Sequence, residues 1–179
     1  MGKASIPASK GYLLVDTKRC SGCESCMLGC SLAHEGKASL TFSRIQILQN
    51  SLMPFPHDLT IAQCRQCVSP ACVAACPNEA LTVNQKHGNV RMIDKEKCIG
   101  CQTCIKACPY TPARIAWNRD EKKAIKCDLC ADTPFWGKDG GIDGKQICVA
   151  VCPHGAIEFT GTVPMQEGNL GYNVEIELD

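Results

Sequence analysis

Aromatic side chains are scarce in this 179-residue sequence: two Trp, three Tyr and four Phe. Fifteen Gly and ten Pro break the chain often, so the ordinary apolar core is thin for this length. No apolar run exceeds a few residues, far short of the roughly twenty needed for a membrane-spanning helix, which argues against direct membrane insertion. The stretch from Met1 to Lys10 has neither the apolar centre of a signal peptide nor a twin arginine, so a cytoplasmic location is expected. Also missing are a Gly-rich phosphate loop of dinucleotide type and a nucleophile with a base beside it. His34, His57, His87 and His154 are scattered without ligand spacing, and a local hydrogen bond accounts for His154 after Cys152-Pro153. No residue reads as catalytic, and substrate chemistry is expected on another polypeptide.

Cysteine is what the sequence has instead. Sixteen fall into four groups of four: Cys20, Cys23, Cys26, Cys30; Cys64, Cys67, Cys72, Cys76; Cys98, Cys101, Cys104, Cys108; and Cys127, Cys130, Cys148, Cys152. The third group, closed by Pro109, fits the run C-x2-C-x2-C-x3-C-P, in which three thiolates converge on one cubane and the fourth points toward a second. The first group differs only in Ser31 after Cys30. The second holds four residues between Cys67 and Cys72, and the fourth holds seventeen between Cys130 and Cys148; both keep the leading C-x2-C and the closing C-x3-C-P. Zinc is a rival, and Cys127-Asp128-Leu129-Cys130 alone could form a knuckle, but zinc knuckles do not call for the recurrent C-x3-C-P ending at Cys76, Cys108 and Cys152. Disulfides suit secreted scaffolds rather than a reducing compartment. The spacing therefore predicts four [4Fe-4S] clusters. These must supply much of the core, so the apoprotein is expected to be unfolded or molten, ligand convergence being itself folding free energy.

The formal charge is +1 with cysteines neutral. Four oxidised cubanes at about −2 each bring the loaded chain to about −7, and nucleic acid is not an expected partner. Lys122, Lys123 and Lys126 lie close together in sequence near one cysteine group, where they could offset cluster charge, dock a partner, or form a plain solvated face.

Between the groups the pattern is one of short strands. Leu81–Val83 and Val90–Ile93 flank Lys86–Asn89, whose Gly88 and Asn89 permit a tight connection. A second candidate hairpin pairs Ala113–Trp117 with Lys123–Lys126, and helical turns are expected at Cys72–Cys76 and Cys104–Cys108. The predicted class is α+β, with clusters between small sheets and short helices. Two insertions, Ser31–Gln63 and Ala131–Ile147, lie outside the repeat, and Thr133–Gly141 in the latter could be a docking loop or a simple surface loop. Tyr172–Asp179 alternates apolar and acidic residues as a half-buried strand does, which could pair within its own chain or mediate self-association through a sheet edge.

The order of the groups, ordinary run, x4 variant with Ser69-Pro70-Ala71-Cys72, ordinary run and long-gap variant, resembles the four-cluster ferredoxin-like electron-transfer subunits of bacterial molybdenum and tungsten oxidoreductases, the dimethyl sulfoxide reductase β-subunit type. Relatives in that family serve hydrogenases and carbon monoxide dehydrogenase. The match spans Cys20 to Pro153. It implies two ferredoxin-like two-cluster halves, residues 1–63 plus 110–179 and residues 64–109. It also implies the ligand sets Cys20, Cys23, Cys26 with Cys152; Cys127, Cys130, Cys148 with Cys30; Cys64, Cys67, Cys72 with Cys108; and Cys98, Cys101, Cys104 with Cys76. Ser31 in place of proline alters the turn and leaves the ligand.

Tunnelling decays steeply with distance, so four centres in series would act as a wire, their potentials set by cluster charge, hydrogen bonds to sulfur and exposure. The expected partners are a catalytic subunit, of the tungsten- or molybdenum-pterin aldehyde or acid oxidoreductase kind, and a flavoprotein meeting NAD. The small iron-sulfur subunit of a bacterial tungsten aldehyde oxidoreductase is the most similar type. A carrier for hydrogenase or carbon monoxide dehydrogenase, and a free polyferredoxin, are the alternatives.

Overall fold

Whether proline follows the last cysteine of a group decides how long the helix carrying that C-x3-C run becomes. In the computed structural model, which describes residues 6–164, the first group lacks that proline and its helix α1 runs eleven residues, Ser25–Glu35, to a left-handed Gly36. Ser31 is fully buried in it, its hydroxyl donating to the carbonyl of Lys37. The other three helices are single turns: α2 at Ala71–Ala74, α3 at Thr103–Lys106 and α4 at Ile147–Ala150. Pro77, Pro109 and Pro153 bring no amide hydrogen and push the residue before them out of helical geometry, which stops each at the fourth cysteine.

The strands form four two-stranded antiparallel ribbons. Strand β1 (Tyr12–Val15) pairs with β8 (Ile157–Thr160), β2 (Gln46–Gln49) with β3 (Leu59–Ala62), β4 (Leu81–Asn84) with β5 (Val90–Ile93), and β6 (Ala116–Asn118) with β7 (Lys123–Ile125). Short helices and strands together give the α+β arrangement expected. The β4–β5 hairpin lies where the sequence places it, with Gly88 and Asn89 both at positive φ in the connection. The next hairpin is shorter than expected. Arg114 turns its backbone N–H to the Sγ of Cys108 (3.2 Å), so residues 113–115 follow the cysteine loop instead of a ladder. The Asn118 side chain accepts from the N–H groups of Asp120 and Glu121 and makes the turn.

The insertion at Ser31–Gln63 is not featureless: it contains β2 and β3, which lay Ile47, Leu59 and Ile61 against Met27 of α1. The second insertion folds back on the end of α1, where the Phe135 N–H donates to the carbonyl of Ala33 (3.1 Å) while its ring stays largely exposed.

Two hydrophobic clusters result, and cysteines are members of both. One joins Leu13, Val15, Ile61 and Leu129 to buried Cys26, Cys30, Cys130 and Cys148. The other joins Leu81 and Cys104 to Ile115 and Ala124, with Cys72, Cys76 and Cys98 packed around them. Residues Ile115 and Ala124 of that second cluster lie beyond position 109. No helix among the described residues is long and apolar enough to cross a membrane. The terminal strand expected at Tyr172–Asp179 lies outside the described residues.

Ser31→Pro tests the helix rule. It removes an amide donor and sets a ring against the preceding turn of α1, so the loaded protein should lose about 3 kcal/mol or more in denaturant unfolding, whereas unchanged stability would break the rule.

Candidate cluster-binding sites

Three open spaces are each lined by four cysteines. One is lined by Cys64, Cys67, Cys72 and Cys108. A second is lined by Cys76, Cys98, Cys101 and Cys104, and a third by Cys20, Cys23, Cys26 and Cys152. Of the remaining four, Cys30, Cys130 and Cys148 are buried and Cys127 is half-buried; burial raises the Cys148 thiol well above its ordinary pKa, and nearby Cys127, Cys130, Cys30 and Cys26 raise it further. All sixteen thiols are free of disulfides. Among the described residues no tight group of three or more His, Cys, Asp or Glu could hold a single metal ion.

Each C-x3-C run carries cysteines of two neighbouring sets. On α1, Cys26 faces one void and Cys30 belongs with the remaining four; α4 and the residue pair Cys148 and Cys152 repeat this in reverse. Helices α2 and α3 link the Cys64 and Cys98 sets in the same way through Cys72, Cys76, Cys104 and Cys108. Helix α1 packs on α4 and α2 on α3. Between the two pairs stands Gln66, fully buried, donating from Nε2 to the carbonyl of Cys127 (3.0 Å) and accepting at Oε1 from the N–H of Arg91 (2.8 Å). The sets therefore follow one another in the order Cys20, Cys30, Cys64, Cys98.

Every C-x2-C loop needs a left-handed residue before its second cysteine: Gly22, Gln66, Gly100 and Leu129. Glycine meets this without steric cost in the outer two sets. At Gly100 it is also required by space, since a Cβ would stand 2.3 Å from the carbonyl oxygen of Lys122. The inner loops use Gln66 and Leu129, both wholly buried and held by their surroundings.

Burial dominates the thiol chemistry. It pushes Cys26 and Cys130 up to about 12 and Cys72 up to about 11. Such thiols stay protonated unless a cation sits among them, and bound iron reverses that preference. Hydrogen bonds already point at the sulfurs: N–H groups of Arg44, Arg114 and Ala156 donate to Cys30, Cys108 and Cys152 at 3.2–3.3 Å. Thr103 donates to Cys101 (3.3 Å), and the Cys23 thiol donates to the Ser25 hydroxyl (3.5 Å). Those two cysteines, one in each outer set, are the exposed ones of the sixteen.

Charged side chains are buried around the inner sets. Arg65, Arg91, Arg114 and Lys126 all line the Cys64 void, each at most 4% exposed. The guanidinium nitrogens of Arg114 are buried and find no hydrogen-bond partner among the described residues. A buried cation without an acceptor, beside four thiols, fits an anionic cubane in that space. Lys126 donates to the carbonyls of Arg91 and Cys127, so of the three lysines noted in the sequence this one is interior. Beside the Cys30 set, His34 donates from Nδ1 to the carbonyl of Cys30 (2.8 Å) and from Nε2 to Asp128 (2.9 Å). Burial opposes its charge, but Asp128 and Cys30 outweigh that and raise His34 to about 9. Burial likewise opposes the Asp128 carboxylate, yet Arg44 and His34 bring it down to about 2. Arg44 pairs with both Asp128 and Glu35. In the sequence His34 stands without ligand spacing; its i, i+4 spacing from Cys30 on one helix is the signal of this contact.

Residues 56–162, more than half of the chain, match the family described as a 4Fe-4S dicluster domain. The chain belongs to this family. Among curated proteins, the dicluster-domain chain is similar to the polyferredoxin-like subunit of aliphatic sulfonate oxidoreductase from Pyrococcus furiosus, at 39% identity over 69% of this chain and 67% of that protein. It is similar to the thiosulfate reductase electron transfer subunit PhsB of Salmonella typhi, at 33% identity over 82% of this chain and 73% of that protein. Hydrogenase-2 operon protein HybA of Escherichia coli O157:H7 is 31% identical over 86% of this chain, which spans about half of that protein's length (52%). PhsB is named for electron transfer and the Pyrococcus protein as a polyferredoxin-like subunit, neither as a catalytic chain.

Asp128→Ala leaves Arg44 and His34 buried without their carboxylate. Anaerobic denaturation of the loaded protein, followed by cluster absorbance, should show a loss of about 3–5 kcal/mol, and a loss within error of zero would remove this network from the account.

Proposed function

We propose that the chain is the electron-transfer subunit of an oxidoreductase complex and that it carries four [4Fe-4S] clusters in a line. The observation that supports this is that twelve of the sixteen thiols line three spaces, four to each, while Cys30, Cys127 and Cys130 act on buried Cys148. The ligand sets would be those groupings: Cys20, Cys23, Cys26, Cys152; Cys30, Cys127, Cys130, Cys148; Cys64, Cys67, Cys72, Cys108; and Cys76, Cys98, Cys101, Cys104. The first two make one two-cluster half and the last two the other. Each cubane supplies the uptake and release of one electron. The protein's part is to hold the sets in series, exclude water from the inner two and leave the outer two open at Cys23 and Cys101, where partners can approach.

The named relatives support a place in a multi-subunit oxidoreductase. The reading we favour for the partners is a tungsten- or molybdenum-pterin catalytic subunit at one end and a flavoprotein at the other. The similarity to HybA favours a second reading, a carrier for a hydrogenase.

Anaerobic isolation through a tag on this chain, with iron, tungsten, molybdenum, nickel and flavin measured per copy, separates them. About sixteen iron with tungsten or molybdenum and flavin is expected. Nickel would move the chain to a hydrogenase or carbon monoxide dehydrogenase, and iron alone would make it a free polyferredoxin.

A further inference from the structure

The positive charge buried in this protein is not shared evenly among the four cysteine sets. Arg65, Arg91, Arg114 and Lys126 line the void of the Cys64 set, and no carboxylate does. No charged side chain lines the void of the Cys98 set. The void of the Cys20 set has one, the carboxylate of Glu24. Around the Cys30 set the cations Arg44 and His34 are matched against Asp128 and Glu35, and Lys126, which also reaches the Cys127 carbonyl, is shared with the Cys64 set. The bias toward the Cys64 set is built by the fold. Arg65 comes from the cysteine loop itself, Arg91 from β5, Arg114 from the stretch that bonds to Cys108, and Lys126 from the residue after β7. Arg65 and Arg114 approach the ring of Tyr110 at the same distance, 5.6 Å. Two like charges held this close in the interior repel one another, an arrangement that an anion beside them makes stable. The Tyr110 side chain also hydrogen bonds to Cys67, and the N–H groups of Gln66 and Arg114 donate to Cys64 (3.5 Å) and Cys108 (3.2 Å).

We propose that these four cations make the Cys64 set the highest-potential electron site of the chain, a well at the third position in the series. This rests on the electron-transfer reading given above. One electron arriving from a low-potential donor takes a cubane with four thiolates from about −2 to about −3 in net charge. Fixed positive groups around the site favour the more negative state, and they act strongly because the interior screens them poorly. Tyr110 and the two N–H donors work in the same direction, since hydrogen bonds to sulfur favour the reduced state. Arg65, Arg91, Arg114 and Lys126 thus hold an electron next to the outer Cys98 set and away from the Cys20 end. The chain would keep one electron in store between its two partners.

The test is a dithionite titration of the loaded, anaerobic protein through redox mediators, followed by electron paramagnetic resonance. In the natural chain one component should reduce before the others. Arg114→Gln should lower that component alone, so that at a fixed potential its reduced-to-oxidised ratio falls about tenfold or more, equivalent to about 59 mV for one electron. Arg114→Lys, which keeps the charge, should restore most of it. If Arg114→Gln loses iron, Arg91→Gln serves with the same expected direction. A first-reduced component that stays in place in these variants while a later one moves would overturn the proposal. Fewer than four clusters in the natural chain would count against the function reading instead, because the iron measurement is independent of the shift.

Discussion

Four thiolates must meet at each centre, and most of the fold is arranged around that requirement. Strands of three or four residues and one-turn helices do not build a large apolar core by themselves. Here they bring Cys26, Cys30, Cys64, Cys104, Cys130 and Cys148 into the interior as core residues. The C-x3-C turn is the working unit. It gives one cysteine to each of two neighbouring sets, so every helix is also a spacer between centres.

The same requirement brings an electrostatic problem. Thiolate sets with iron are anionic, and a protein interior solvates anions poorly. Backbone N–H groups of Arg44, Arg114 and Ala156 meet part of the demand at the sulfurs. Buried Arg65, Arg91, Arg114 and Lys126 meet another part, at one set far more than at the others. Where a carboxylate is buried as well, at Asp128, it is held by Arg44 and His34, so that the inner pair of sets differ in the charge placed around them. Function and stability draw on the same side chains.

Much of this was legible in the residues. The cysteine spacing marks the four runs and the Gly88-Asn89 pair marks the β4–β5 turn, while the sharing of cysteines between runs is implied by the family resemblance and not by the spacing. Other features were not. Strand β1 pairs with β8 near the other end of the described chain, and no local pattern announces such a contact. In β2 the run Gln46-Ile47-Leu48-Gln49 is too short for alternation to identify a strand. Arginine and lysine are ordinarily read as surface residues, and Arg65, Arg91, Arg114 and Lys126 are interior because the neighbouring site is anionic, a reason that lies outside side-chain pattern. Gln66 and Leu129 hide their left-handed backbone behind side chains; only alignment with Gly22 and Gly100 inside the same sequence reveals it.

The central claim is that one chain holds four cubanes at once. Native mass spectrometry of the anaerobically isolated chain measures this directly, one molecule at a time. The account predicts a dominant species heavier than the bare polypeptide by four [4Fe-4S] units, with all sixteen cysteines blocked to alkylation until iron is removed. A dominant species carrying only two units with several cysteines open to alkylation, or one carrying zinc in place of any set, would contradict it.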